Sequence, residues 1–349
     1  MLRALTLVLL AGGMNGSFGA PMKRVRGWEW EHTWLVWAFL GMVVIPLTVA
    51  AATVPNLAGI YHAAGPTALV LTALYGMVWG AGAVLFGLGI TRVGLALGFG
   101  IILGTSSSLG AALPFLTLHR NQVFTTTGLL TLAGVGIILA GVAACARAGI
   151  LREAAQQGAK SPPSPSREQE DKDGTSGGIS FVAGLGICVL SGIGSSFMSL
   201  ALNQATPIYG AAEAMGVPSA RLLNAVWPVL LGGGFAVNAA CCAFLLVRRG
   251  NAACFRHATM SNLGLAAAMA VLWSGSNFVY GAGARGLGPL GLVLGWPIFM
   301  AMIVLTANAW GVLTGEWRGA GRRAAAWAGL GTLLLVGGIW VIASAGRGS

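Results

Sequence analysis

Apolar and polar positions divide this chain into long, regularly spaced runs. Ten stretches, each near the roughly 20 residues that cross a hydrocarbon core, carry almost no charge: 2–21, 33–53, 67–90, 93–117, 123–147, 179–202, 221–247, 260–283, 287–314 and 323–345. Each is read as a membrane-spanning helix. One polar stretch, REAAQQGAKSPPSPSREQEDKDGTSGG (Arg152–Gly178), interrupts them. Its Pro, Ser, Gly and mixed charge predict a flexible linker. The pattern therefore predicts an all-α integral membrane protein with five spans in 1–147, a cytoplasmic linker at 148–178 and five spans in 179–349.

The first run breaks its own apolar surface. AGGMNGSFGAPMKR (Ala11–Arg24) places Asn15, Ser17 and four glycines between an apolar helix and the basic cluster KRVR. Composition says the break is set in lipid-embedded protein. Only 8% of residues are charged, against about 25% in a soluble domain, so the chain cannot be solvated as a globule. Glycine is abundant, at 55 residues, with GxxxG spacings at Gly76/Gly80, Gly94/Gly98, Gly100/Gly104 and Gly291/Gly295. Small residues at that spacing let helices approach closely.

The net charge of +11 adds orientation rather than a nucleic-acid partner. Of 20 basic residues, 15 lie in the linker and the loops after the first, third, fifth, seventh and ninth spans; Arg3, Arg120, Arg221, Arg285 and Arg347 lie opposite. The positive-inside rule puts the basic end in the cytoplasm and both termini outside. Cys145, Cys188, Cys241, Cys242 and Cys254 have no CxxC spacing, so neither a disulfide framework nor a metal site is expected.

The chain matches itself at an offset of 194: WGAGAVLFGLGITRVG (Trp79–Gly94) lies on WSGSNFVYGAGARGLG (Trp273–Gly288), pairing Trp79 with Trp273 and Phe86 with Tyr280. NGSF (Asn15–Phe18) has a partner in GSSF (Gly194–Phe197). Arg3, a short apolar core and small residues near Ala20 also suit a secretory signal, but a cleaved signal has no reason to be repeated. An odd number of spans per repeat inserts the second copy upside down. Inverted repeats of this kind mark secondary transporters with a midplane site.

Four stretches carry a family resemblance: GGMNGSFGAPMKRVRGWEWEHTW (Gly12–Trp34), LYGMVWGAG (Leu74–Gly82), GGGFAVN (Gly232–Asn238) and GEWRGAGRR (Gly315–Arg323). The chain resembles the L-rhamnose–proton symporter family of the drug/metabolite transporter superfamily. The resemblance implies a ten-helix inverted-repeat transporter in a bacterial inner membrane, importing a sugar with a proton.

A monosaccharide offers hydroxyls at its edge and C–H groups on its faces. Neutral amides and hydroxyls suit the first and indole or phenol faces the second. The substrate-binding candidates are Asn15, Ser17, Trp79, Asn203, Gln204, Trp273, Asn277, Tyr280 and Trp296, with Ser196, Asn238, Ser276 and Asn308 in the wider set. The bland alternatives are definite. Ser in a membrane helix usually bonds its own backbone. Trp28, Trp30, Trp34, Trp37 and Trp317, near span ends, read as interface anchors. Asn15 and Asn277 are hardest to dismiss, because an unpaired buried amide costs a few kcal/mol.

Energy coupling is left open by the residues. All nine acids are expected outside the spans, although an intramembrane proton carrier is usually a buried Asp, Glu or His. Glu213 at a rim is one candidate for the ion. Ser106 and Ser107 in GTSSSLG (Gly104–Gly110), with Thr105 and Ser108, holding Na⁺ instead, are one alternative, and the absence of coupling is another. Other open readings are a same-fold exporter of another metabolite or drug, and a channel. HExxH, GxSxG and phosphate-loop motifs are absent, which speaks against an enzyme. No cofactor, metal, nucleic acid or obligate protein partner is expected; the partners are a small sugar, a proton or Na⁺, and lipid.

Overall fold

The computed structural model describes residues 1–93, 95–118, 120–160, 176–288, 290–315 and 317–345, and every regular element among them is helical. These are α1 (Leu2–Ser17), α2 (Trp30–Thr53), α3 (Leu57–Ala64), α4 (Pro66–Val93), α5 (Leu95–Leu118), α6 (Thr126–Lys160), α7 (Ser176–Gln204), α8 (Thr206–Ala214), α9 (Trp227–Arg249), α10 (Thr259–Gly286), α11 (Gly291–Leu313) and α12 (Gly321–Ala345), with short 3₁₀ turns between some of them. Eight helical stretches among the described residues are long and apolar enough to cross a membrane. The other two expected spans are also helical. α1 has only 16 residues, and α5 contains the shorter apolar helix Ile101–Pro114.

Large apolar side chains on the outer faces are exposed: Val247 at 83%, Leu333 at 72% and Trp340 at 68%. Such a surface suits contact with lipid. Inside, backbones meet directly. α4 crosses α9 so closely that a Cβ on Gly80 would stand 2.7 Å from the Gly234 carbonyl oxygen. α1 lies between α10 and α11, α4 between α7 and α9, and α6 packs along α12.

Several ends differ from expectation. α1 stops at Ser17 rather than 21, since Pro21 opens a separate 3₁₀ turn, Pro21–Arg24. The span expected from 221 lies in the helical stretch Ser219–Arg249, which opens as a 3₁₀ turn, Ser219–Ala225, and becomes α-helical only at Trp227, with Pro228 in the first turn. Proline at a helix start costs nothing, because that N–H has no partner anyway. Within the expected linker region, α6 continues through Lys160 and α7 starts at Ser176; residues 161–175 lie outside the described residues.

α2 contains one irregular turn with a consequence for the centre of the bundle. Leu40–Val44 is a π turn, in which the Ile45 N–H reaches back to the Leu40 carbonyl. The next residue, Pro46, has no N–H to continue the ladder, so the Gly41 carbonyl loses its helical donor. The Ser274 hydroxyl of α10 donates to it at 2.6 Å. This bond fastens the middle of α2 to α10. Ser274→Ala leaves a buried carbonyl unpaired and is expected to cost about 1–3 kcal/mol. Thermal denaturation in detergent, compared with Ser196→Ala, checks this. The Ser196 hydroxyl bonds only Ile193 on its own helix, so its removal serves as the mild control.

Candidate functional site

The buried face of α10 carries Trp273, Ser274, Ser276, Asn277 and Tyr280. Trp273 stacks on Trp79 of α4, with ring centroids 5.6 Å apart and planes at 22°. Trp37 of α2 meets Trp273 edge-on at 5.1 Å, and Phe18 and Trp34 pack on Trp37 at 5.6 and 4.4 Å. Trp79 fits because α9 presents Gly234, where a Cβ would come 2.7 Å from the indole. The Trp34 Nε1 donates to Asn238 Oδ1 at 2.9 Å, and Asn238 Nδ2 donates to the Gly234 carbonyl at 2.9 Å. Four helices, α2, α4, α9 and α10, thus enclose an aromatic cluster with one satisfied amide at its side.

Polar groups border this cluster. Asn15 Nδ2 donates to Ser276 Oγ at 2.9 Å, and Ser276 Oγ donates to the Trp273 carbonyl at 2.6 Å. Asn277, one turn beyond Trp273, is 2% exposed, and its Nδ2 has no hydrogen-bond partner. An unmet donor at such depth is costly and suits a ligand oxygen. The site offers aromatic faces and neutral amides, and no charge has been found at its centre among the described residues. That combination fits an uncharged polyhydroxy compound.

The chain matches the model of one family, described as L-rhamnose-proton symport protein, over residues 3–346. It belongs to that family. A relative from Cronobacter sakazakii, named L-rhamnose-proton symporter, is 29% identical over 336 residues, covering 94% of this chain and 93% of the relative. Relatives from Salmonella typhimurium and Salmonella newport with the same name are 28% identical over the same lengths.

In this member of the L-rhamnose-proton symport protein family, the remaining candidates fall into four groups. Tyr280 and Trp296 form a second aromatic cluster with Phe299, and their polar tips are satisfied: Tyr280 OH by the Leu292 carbonyl at 3.2 Å, Trp296 Nε1 by the Ser106 carbonyl at 3.3 Å. Ser17 and Asn203 bond their own helices, at the Gly13 and Ser199 carbonyls, and Ser17 Oγ also accepts from exposed Trp310. Gln204 and Glu213 are exposed. The Ser106 and Ser107 hydroxyls are buried without a partner on α5.

Two expectations are corrected. Trp28, Trp34 and Trp37 are not interface anchors: Trp37 is 2% exposed in the aromatic cluster, and Trp28 packs against Phe255 at 5.3 Å. Trp30 stacks on Trp34 at 5.0 Å. Nor do all acids lie outside the spans. Glu31 sits in the first turn of α2 and is fully buried, as is His32. The available signal was the spacing of Glu31, Trp34 and Trp37, which puts a carboxylate and two indoles along one side of a helix.

Proposed function

We propose that the protein is a secondary transporter that takes L-rhamnose into a bacterial cell with a proton, by alternating access of ten spans arranged as two inverted five-helix repeats. The observation that carries this reading is the family match over residues 3–346 together with the relatives' shared name. The drug/metabolite transporter superfamily and external termini belong to the same reading. An internal echo in the packing supports the repeat. A Cβ on Gly16 of α1 would meet Thr306 Cβ, the Ile303 carbonyl and Thr306 Cγ2; one on Gly192 of α7 would meet Thr105 Cβ, the Ile102 carbonyl and Thr105 Cγ2. The same cradle occurs twice, each time between the first helix of one half and the fourth span of the other, α1 on α11 and α7 on α5.

The sugar would lie at the Trp79–Trp273 contact. These two residues occupy matched positions of the two sequence repeats, as a site on a pseudo-twofold axis requires. Their indoles would part to take a C–H face, with Asn277 and Asn15 addressing hydroxyls. Asn15→Ala removes one such contact, worth about 1–3 kcal/mol. Uptake per folded molecule is expected to fall about tenfold, since 1.4 kcal/mol is a factor of about ten. Unchanged affinity would remove Asn15 from the site.

Na⁺ coupling is favoured by one observation, the unpartnered Ser106 and Ser107 hydroxyls. Proteoliposomes decide between the ions. L-rhamnose should accumulate under an imposed pH gradient, acidic on the side of uptake, without Na⁺. Accumulation under a Na⁺ gradient at equal pH, and none under a pH gradient, reverses the assignment.

A further inference from the structure

Coupling transport to a proton needs a titratable group whose surroundings change with the state of the transporter. Glu31 and His32 are fully buried, whereas Glu29, Glu213, His62 and His257 are exposed. Glu31 Oε2 pairs with Arg249 Nη1 at 3.0 Å, and the same nitrogen reaches Oε1 at 3.2 Å. Asn251 Nδ2 donates to Oε1 at 2.6 Å. The Asn251 carbonyl receives His32 Nε2 at 3.0 Å. A carbonyl only accepts, so Nε2 carries the hydrogen, and the buried Nδ1 has no hydrogen-bond partner.

Each of these partners comes from α9 or the residues just after it, more than 200 positions away in sequence. The contact therefore exists only while α2 and α9 stay together at the basic end of the bundle. Every group bonded to the carboxylate is a donor. A proton on Glu31 would cancel the charge pair with Arg249, a donor that cannot accept the new O–H, and leave the Asn251 amide as the one polar partner. Protonation and the closed contact oppose each other, and by reciprocity protonation favours the state in which the two helices have parted.

The neighbouring groups leave Glu31 as the partner of Arg249. Arg248 lies over the Phe244 ring at 6.0 Å. His257 and Arg256, on the turn leading into α10, are exposed, and Cys242 and Cys254 carry thiols on α9 and that same turn. Among the described residues, none of these is bonded to the carboxylate. The contact is also joined to the aromatic cluster. Trp34 and Trp37 follow Glu31 at one-turn intervals, Trp37 touches Trp273, and the π turn Leu40–Val44 separates this half of α2 from the rest.

Resting on the symport reading above, we propose that Glu31 is the proton-binding carboxylate of the transport cycle, ionised and latched to Arg249 and Asn251 while the basic end is shut, and protonated when α2 and α9 part. While the basic end is shut and the other end is open, the carboxylate takes one H⁺ from the medium on the side of uptake to become the neutral acid, which releases Arg249 and lets α2 and α9 part. It returns that H⁺ to the other side before the latch re-forms, so each cycle moves one proton and leaves the protein unchanged. Movement of α2 carries Trp34 and Trp37, which ties the step to the sugar site.

The test uses the purified full chain in proteoliposomes. Wild type should accumulate L-rhamnose under a pH gradient; if it does not, the symport reading itself fails, whatever Glu31 does. Glu31→Gln keeps the shape and an acceptor for Arg249 and Asn251 but cannot titrate. It should exchange labelled for unlabelled L-rhamnose at a rate within about threefold of wild type, yet accumulate none under the gradient. Arg249→Gln, which removes the counter-charge, should move the pH profile of exchange to higher pH in the Glu31 protein and leave the flat profile of Glu31→Gln unmoved. Gradient-driven accumulation by Glu31→Gln overturns the proposal. So does loss of exchange in that variant, which would make the residue a structural strut. An unmoved profile in Arg249→Gln also overturns it.

Discussion

Trp273→Ala is expected to lower L-rhamnose uptake by at least tenfold, with most of the loss in affinity. The indole is 6% exposed, faces Trp79 at 5.6 Å and receives the edge of Trp37 at 5.1 Å. Truncating a buried Trp costs about 3–5 kcal/mol where neighbours cannot collapse, and aromatic pairs add about 0.5–1.5 kcal/mol each. If a third of that is expressed in sugar binding, roughly 1.4 kcal/mol, affinity falls about tenfold. Trp273→Phe keeps an aromatic face and should retain most activity. Initial uptake rates against sugar concentration, scaled to the folded transporter seen by gel filtration, make the measurement. An alanine variant with normal KM and normal rate would reduce Trp273 to packing. Trp79→Ala should behave like Trp273→Ala. The double variant should lose less than the sum, because the two residues share one contact.

The second large effect is on folding. Gly16→Val and Gly192→Val should each sharply reduce the amount of folded protein. A Cβ at Gly16 would stand 2.6 Å from Thr306 Cβ and 2.8 Å from the Ile303 carbonyl; at Gly192 the values are 2.5 Å from Thr105 Cβ and 2.9 Å from the Ile102 carbonyl. Real Cβ atoms do not approach backbone so closely, so α1 must move off α11, or α7 off α5. Overpacking of one extra methylene costs about 1–3 kcal/mol, and valine adds three carbons at a backbone contact. Without a hydrophobic drive between helices in lipid, close packing is the main attraction to be lost. Gly19→Val and Gly186→Val are the controls, since nothing lies within 4 Å of a Cβ at either position. Yield and melting temperature in detergent report the outcome. Equal damage at Gly16 and Gly192 supports matched repeats; damage at only one would argue against them.

Much of this protein was legible without its structure. Apolar runs have to be helices in lipid, because every backbone N–H and C=O must be paired within its own segment. That constraint is local, so the helical build and the rough position of the long helices follow from the apolar pattern, although only eight of the ten expected spans are long and apolar enough among the described residues. The match of Trp79 to Trp273 also lies in the sequence, and the structure stacks the two rings. Helix ends were less legible, since Pro21 and Pro228 start new turns inside stretches that are apolar throughout.

What the tertiary structure decided is which polar groups face one another. Glu31, in a loop-like stretch beside three tryptophans, reads as solvated; it is buried only because Arg249 and Asn251 come to it from the far end of another helix. Trp37 reads as an interface anchor until Trp273 and Phe18 close around it. Ser17 and Ser276 are indistinguishable by residue type and each donates to a carbonyl of its own turn, yet Ser276 is buried and accepts from Asn15, while Ser17 accepts from exposed Trp310. Hydropathy is a sum over neighbours in sequence and so determines where the chain enters the membrane. The cost of burying a charge or an amide depends on partners hundreds of residues away, which only the packed helices bring within reach.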